Sequence, residues 1–443
     1  MEPRDFIVTP VVILIVFIAA FYIRPYVTDA VTRSYFFPAL TVRILGALAL
    51  GFIYQFYYNG GDTFNYHTHG SRVIWESFFE NPMQGLRLIF GGSDNEYGIY
   101  QYSSRILFFH DPNSYFVIRI AALFDLFTLS TYTATAILFS LISFAGMWML
   151  FLTFYKQYPH LHLGLSIATC FVPSVFFWGS GLLKDTVILG CLGITTYYLH
   201  CLLFERRVSI TALLVLLSAL FVIFNVRVFV LQAYLPAVFL WIVAHRLASI
   251  RSVLVRFMAI PFLLAILLAS VYYAVVKIGE KDTRYALGNL AVTSRITAYD
   301  IGFYTGRTAG SGYSLDMTDW TPLGMLRASP AAINVSLFRP YPWEVRNPLM
   351  AISSMESAFL LLFTIYVFFR SFRVSFSQFR NYNVLFCLTF SIAFAFAVGI
   401  STFNFGTLTR YRILLLPFYL IALIIMNDYS NNDKKLEVLE ITE

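Results

Sequence analysis

Apolar residues arrive along this chain in long blocks separated by short polar breaks, not in the strict alternation of a half-buried strand. Blocks of about 17–25 apolar residues match the length at which a helix crosses the hydrocarbon layer of a bilayer. Eleven such blocks stand out: 7–23, 36–57, 131–155, 162–180, 183–204, 208–225, 228–244, 255–277, 352–370, 382–401 and 411–427. The stretch 208–244 must break near Asn225–Arg227, because it is too long for one crossing. Residues 115–128 are apolar but carry Arg119 and Asp125, which predicts an interfacial helix and not a span.

The pattern predicts an all-α polytopic membrane protein of about eleven transmembrane helices with two long outer-face loops. Residues 1–57 hold the first two helices, 58–130 a first outer loop with interfacial helices, and 131–277 a central bundle. Residues 278–351 form a large outer loop, 352–427 the C-terminal helices, and 428–443 a polar cytoplasmic tail. Loops longer than about 12–15 residues are usually functional or disordered. The second long loop carries Tyr299, Phe303, Tyr304, Trp320, Phe338, Tyr341 and Trp343 as anchors, which predicts order.

Loop charges orient the bundle. With Asn59–Asn113 outside, the inner connections hold Arg24 and Arg33, Lys156, Arg206 and Arg207, Arg246, Arg251 and Arg256, Arg370, Arg373 and Arg380, then Lys434 and Lys435. Cytoplasmic loops carry such an excess of Lys and Arg. The reading puts the N-terminus outside and the tail inside. A cleaved signal peptide at 1–23 is disfavoured, since Glu2–Asp5 is not net positive and Ala19–Ala20 is a poor cleavage cue.

Composition narrows the class further. Only 12% of the 443 residues are charged, against about 25% in soluble domains. That excludes a soluble enzyme, a nucleic-acid binder and a disordered scaffold. The net charge of +7 follows from the basic inner loops and implies no nucleic acid. Cys170, Cys191, Cys201 and Cys387 all lie in apolar blocks and read as small buried hydrophobes.

The polar residues that can carry chemistry gather at the predicted outer ends of the helices. Ionisable groups at membrane depth are costly and mark candidate sites. Gly60-Gly61 lets the chain leave the second helix and presents Asp62 either as a general base or as a helix N-cap. Tyr66 follows one turn later. His67 and His69, with Asp62, offer ligands for a divalent metal ion, although alternate positions on a helix do not face together. Lys184 and Asp185 open the fifth span, where a helix N-terminus favours anions. The bland alternative there is a snorkelling lysine beside a capping aspartate. Arg227 marks the next hairpin. Arg410 and Arg412 flank Tyr411 at the start of the last span, opposed to the orientation rule and suited to phosphate. In the large loop, Arg339, Trp343 and Glu344 combine flat apolar faces with an ion pair that Glu344 can make to Arg339 or Arg346. Asn334-Val335-Ser336 is a sequon by pattern alone. No P-loop, GxSxG or HExxH is present.

The outer-loop Gly61-Asp62-Thr63 with Tyr66, the Gly181-Leu182-Leu183-Lys184-Asp185 hairpin and Arg410-Tyr411-Arg412 together resemble the GT-C class of integral-membrane glycosyltransferases. They are similar also to O-antigen and exopolysaccharide polymerases. In GT-C enzymes the aspartate usually follows the first span, whereas here it follows the second. The resemblance implies inverting transfer from a polyprenyl-phosphate-linked sugar to a glycan or lipid-linked acceptor. It implies Asp62 as base, Lys184, Arg227, Arg410 and Arg412 on the donor phosphate, and Tyr66, Arg339, Trp343 and Glu344 on the acceptor. It also implies contact with membrane lipid, a bacterial inner membrane and a periplasmic site. A transporter of lipid-linked oligosaccharide is the rival, and it predicts discontinuous helices and mid-span charge; Arg43 is the charge the sequence offers there.

Overall fold

The computed structural model describes residues 3–92, 97–207, 209–248, 290–301, 311–372 except 316 and 318, and 381–442. Among these residues the protein is all-helical, with one isolated β-bridge between Gly312 and Asn404 and no strand. Among the described residues, seven helices are long and apolar enough to cross a membrane. They are α1 (Asp5–Val27), α2 (Arg33–Phe56), α8 (Tyr132–Tyr155), α11 (Lys184–Leu203), α13 (Val228–Ala248), α17 (Pro348–Phe372) and α18 (Tyr382–Thr402). A further span is possible in α19 (Phe405–Arg412) and α20 (Leu416–Thr442), which meet at a 61° bend.

Three of the eleven expected blocks are not among these spans. The block 162–180 is not one helix: α9 (His162–Ser166), a π-helical turn (Ile167–Phe171) and α10 (Pro173–Trp178) follow one another. Pro173 lacks an N–H and biases Val172 to the extended conformation it adopts, at ψ 124°. The helix α12 (Ile210–Val226) has 17 residues, the lower end of the spanning range, and is not among the seven. The block 255–277 lies outside the described residues, as do Phe303 and Tyr304. The predicted break near Asn225–Arg227 is present, between Val226 and Val228. The tail after Asn427, expected as a polar extension, continues α20 to Thr442.

The chain forms two compact units, Met1–Arg227 and Val228–Glu443. The division falls inside the stretch 131–277.

In the first unit, α2 runs antiparallel to α8. Tyr35, near the start of α2, stacks edge-on against Phe151 near the end of α8. At the opposite end Tyr132 lies against Gly51 and its hydroxyl is 2.8 Å from Thr63 Oγ1. Helices α8 and α11 run parallel and touch backbone to backbone: a Cβ on Gly146 would stand 2.0 Å from Gly190 O, and one on Gly193 2.0 Å from Gly146 O. Small residues let helices approach this closely where no water is present to drive association.

Arg43 sits in α2 with 1% of its surface exposed, facing the broken segment. Its guanidinium donates to Val175 O (2.9 Å), Gly179 O (3.2 Å), Thr169 O (3.4 Å) and Ser143 Oγ (3.3 Å). A helix interrupted in an apolar setting leaves carbonyls that need donors. Arg43 supplies them, and this accounts for its place in an apolar block.

Between α2 and α8 run α3 (Asp62–Tyr66), a π-helical turn (His67–Ser71), α4 (Arg72–Glu80), α5 (Pro82–Phe90), α6 (Tyr100–Ser103) and α7 (Pro112–Thr128).

In the second unit, α14 (Leu290–Ile301), α15 (Pro322–Arg327) and α16 (Ser329–Phe338) precede α17. Its core is aromatic: Trp241 stacks on Phe386 at 4.4 Å and donates to Asn383 Oδ1 at 2.9 Å. Exposed apolar side chains run along α1 (Phe6, Leu14, Phe21) and α17 (Met355, Phe359, Leu362), as lipid-facing helices require.

Candidate functional site

One end of the first unit collects several of the residues singled out in the sequence. It is formed by the C-terminal end of α2 and the N-terminal ends of α8 and α11. Gly60 and Gly61 take φ of 127° and 119°, values that L side chains rarely adopt, and so make the turn out of α2. Gly61 is the N-cap of α3, and Asp62 is its first helical residue. Asp62 is therefore not the N-cap; its carboxylate is half-buried at the helix start.

Lys184 and Asp185 open α11 as predicted, each with a carboxylate or guanidinium from another element. Lys184 Nζ is 3.4 Å from Asp111 Oδ2, in the turn before α7. Arg227, at the end of α12, places Nη2 2.9 Å from Asp185 Oδ1. The two pairs differ in access. Arg227 and Asp185 are 7% and 0% exposed, whereas Lys184 and Asp111 are 16% and 37% exposed. A buried pair is costly to break, and a part-exposed one exchanges partners readily. Arg227 is thus a tie between α12 and α11, and Lys184 sits in the more open of the two pairs. Burial raises the Asp111 carboxyl, but Lys184 and the Ser114 hydroxyl outweigh it and hold the group below its ordinary value. Asp111 was not singled out in the sequence; an Asp-Pro pair before an apolar helix is a common start signal and hid its second role.

The proposed metal pair does not assemble. His67 is fully buried and His69 is exposed, on different sides of the π-helical turn. His67 Nε2 faces Asp125 Oδ1 at 3.6 Å, and both side chains are 0% exposed. Burial, aided by the charge of Arg72, pushes the imidazole down to about 3, so it is neutral at pH 7. Burial raises Asp125 to about 6 against the hydroxyls of Ser71 and Thr135. Thr135 Oγ1 donates to Asp125 at 2.6 Å. Neutral and 3.6 Å away, the imidazole packs beside Asp125 of α7 without an ion pair. Tyr66 is also buried, its ring 5.5 Å from Phe108.

The second unit holds the remaining candidates. Arg339 grips Glu344 through Nε at 3.0 Å to each carboxylate oxygen, with a further bond from Nη2. Of the two partners open to Glu344, Arg339 is the one it takes. The Tyr341 N–H donates to the same carboxylate at 2.8 Å, and the Arg339 guanidinium lies 5.2 Å over the Phe405 ring. The clamp presents Trp343, 79% exposed and stacked on Tyr341 at 4.8 Å. Burial works to raise Glu344, yet the Arg339 hydrogen bond and the Tyr341 N–H lower it below its ordinary 4.5. A lowered carboxylate gives stability that is fully present above its unfolded value and lost as pH falls through the folded one. The destabilisation caused by Glu344→Gln, about 1 kcal/mol for a part-exposed pair, is expected at pH 7. Unfolding midpoints of the two proteins should converge below pH 4.5. The sequon is structural: Ser336 is fully buried and donates to Ala395 O at 2.6 Å.

Arg412 departs most from its expected role. It is fully buried and donates to Ser357 Oγ (2.7 Å), Glu356 Oε1 (3.1 Å), Arg339 O (3.2 Å) and Ser353 O (3.4 Å). Its Nη1 and Nη2 groups are taken up by α17 and by the clamp, which makes it a tie and not an open phosphate site. Arg410, two residues earlier, is half-buried in the last turn of α19, ahead of the bend into α20 and not at the start of a span.

Compared with protein-family models, with curated proteins and with solved structures, the chain matches none.

Proposed function

We propose that the chain is an integral-membrane glycosyltransferase that moves a sugar from a polyprenyl-phosphate donor to a glycan or lipid-linked acceptor. The observation that carries this reading is the end of the first unit, where a half-buried carboxylate at the start of a short helix and a part-exposed lysine at the start of α11 lie at the same end of the helices. Asp62 takes the acceptor's hydroxyl proton. Lys184 leaves Asp111 and neutralises the phosphate as it departs, the electrostatic part of catalysis. The Trp343–Tyr341 stack offers a flat apolar face to a sugar ring. With basic loops inside, this end faces outward, which in a bacterial inner membrane is the periplasm. A divalent ion is not needed for the roles given to Asp62 and Lys184.

A transporter of lipid-linked oligosaccharide is the second reading. The interrupted helix 162–178 with Arg43 at its break favours it, because discontinuous helices recur in transporters. Protein in lipid nanodiscs, given radiolabelled polyprenyl-phosphate sugars and lipid-linked glycans, separates the two. Single additions of label support the transferase, and a ladder of long products moves the reading to a polymerase. Lys184→Ala should raise the donor KM about 10–100-fold, the worth of one charge-assisted contact. Absence of label transfer from every donor by folded protein would leave transport.

A further inference from the structure

The far end of α11 carries a second cluster that the transfer chemistry does not use. His200 and Cys201 lie in its last turn, and the chain then folds back on itself. Phe204 N and Glu205 N both donate to His200 O, at 3.0 and 3.3 Å, and Arg207 N donates to Cys201 O at 3.0 Å. Arg206 takes φ 54° to close this turn. The fold-back returns the Glu205 carboxylate over the two side chains that precede it. His200 Nδ1 stands 3.5 Å from Glu205 Oε1, and the imidazole nitrogen, the Cys201 sulfur and the carboxylate all lie within 4.8 Å of one another. His200 is 7% exposed and Glu205 21%.

We propose that His200, Cys201 and Glu205 form a three-ligand site for a zinc-like divalent ion at the end of the first unit opposite Lys184. The spacing fits. Zinc binds nitrogen and oxygen at about 2.0 Å and sulfur at about 2.3 Å in tetrahedral geometry, which sets ligand atoms about 3.3–3.5 Å apart. The nitrogen–oxygen separation already has that value. Imidazole, thiolate and carboxylate are the ligand types such an ion takes, and three protein ligands leave the fourth position open. Binding releases the thiol proton of Cys201 to solvent.

Two cations compete for the carboxylate. Lys156 Nζ is 3.2 Å from Glu205 Oε1, and Arg207 Nε is 3.5 Å from Oε2. Arg207 is 80% exposed and swings away freely. Lys156 also lies 5.0 Å over the Tyr197 ring, which gives it a place to rest when the ion enters. This competition yields a signature that a purely structural ion pair would not produce: removing Lys156 should tighten metal binding.

The test uses full-length protein in detergent titrated with Co2+, with Zn2+ as competitor. The wild type should develop a thiolate-to-cobalt charge-transfer band that Zn2+ abolishes. The band should vanish in Cys201→Ser, and affinity should fall at least tenfold in His200→Ala. Lys156→Met should bind about fivefold more tightly, the effect of one like charge at about 4 Å in a solvated setting. A wild type with no band, or a band that survives in Cys201→Ser, overturns the site. Unchanged affinity in Lys156→Met removes Glu205 from the ligand set and with it the three-ligand proposal. None of these readouts depends on sugar transfer.

Discussion

Asp62→Asn is expected to lower sugar transfer by about 10²–10⁴-fold, the contribution of a positioned general base. Asparagine has the size of aspartate and keeps hydrogen-bonding capacity, so the start of α3 is retained and only the proton acceptor is lost. The turn ahead of it is set by Gly60 and Gly61 at positive φ and does not depend on the side chain at 62. The loss should appear in kcat with little change in donor KM, because the base acts in the transition state. The unfolding temperature should match the wild type. Wild-type turnover in Asp62→Asn would remove the residue from the mechanism. A fall in both turnover and unfolding temperature would assign it to the structure of α3.

Arg412→Met is expected to cost about 3–5 kcal/mol of stability, the range for removing one partner of a buried ion pair. Glu356 is 8% exposed and would face that position without its guanidinium. The Arg339 and Ser353 carbonyls would lose a donor as well. The double variant Arg412→Met with Glu356→Met should be less destabilised than Arg412→Met alone, since two apolar side chains replace a charge that has lost its partner. Denaturation of the four proteins in one detergent gives the coupling directly. Simple additivity of the two single effects would mean that the ion pair contributes nothing beyond its separate hydrogen bonds.

Helices were legible wherever hydropathy and length agreed. The blocks 36–57, 131–155, 183–204 and 382–401 lie within two or three residues of α2, α8, α11 and α18, since a continuous apolar run in lipid has the helix as its available form. The block 162–180 misled for the same reason. Hydropathy counts apolar side chains and is blind to backbone hydrogen bonds, so the break at Val172–Pro173 left no mark except the proline. Arg43 was visible as a charge, but its purpose depends on carbonyls more than a hundred residues away. The candidate cations show the same limit. Lys184, Arg227 and Arg412 read alike in the sequence as basic residues at helix ends. Only their partners, Asp111, Asp185 and Glu356, separate an exchangeable cation from two structural ties. His67 looked like half of an HxH pair, but it is buried beside Asp125, far along the chain, while His69 faces out.

The glycine crossing of α8 and α11 makes these parallel helices a ruler within the first unit. Backbone contact at Gly146, Gly190 and Gly193 leaves no side chain between them to repack, so neither slides without breaking the contact. Helix α11 has 20 residues, and its two ends lie about 30 Å apart. The Lys184 end and the Glu205 end thus hold a constant separation through any working cycle. Distances measured between probes along this pair define a fixed origin, against which movement of α3, the interrupted helix or α12 can be expressed.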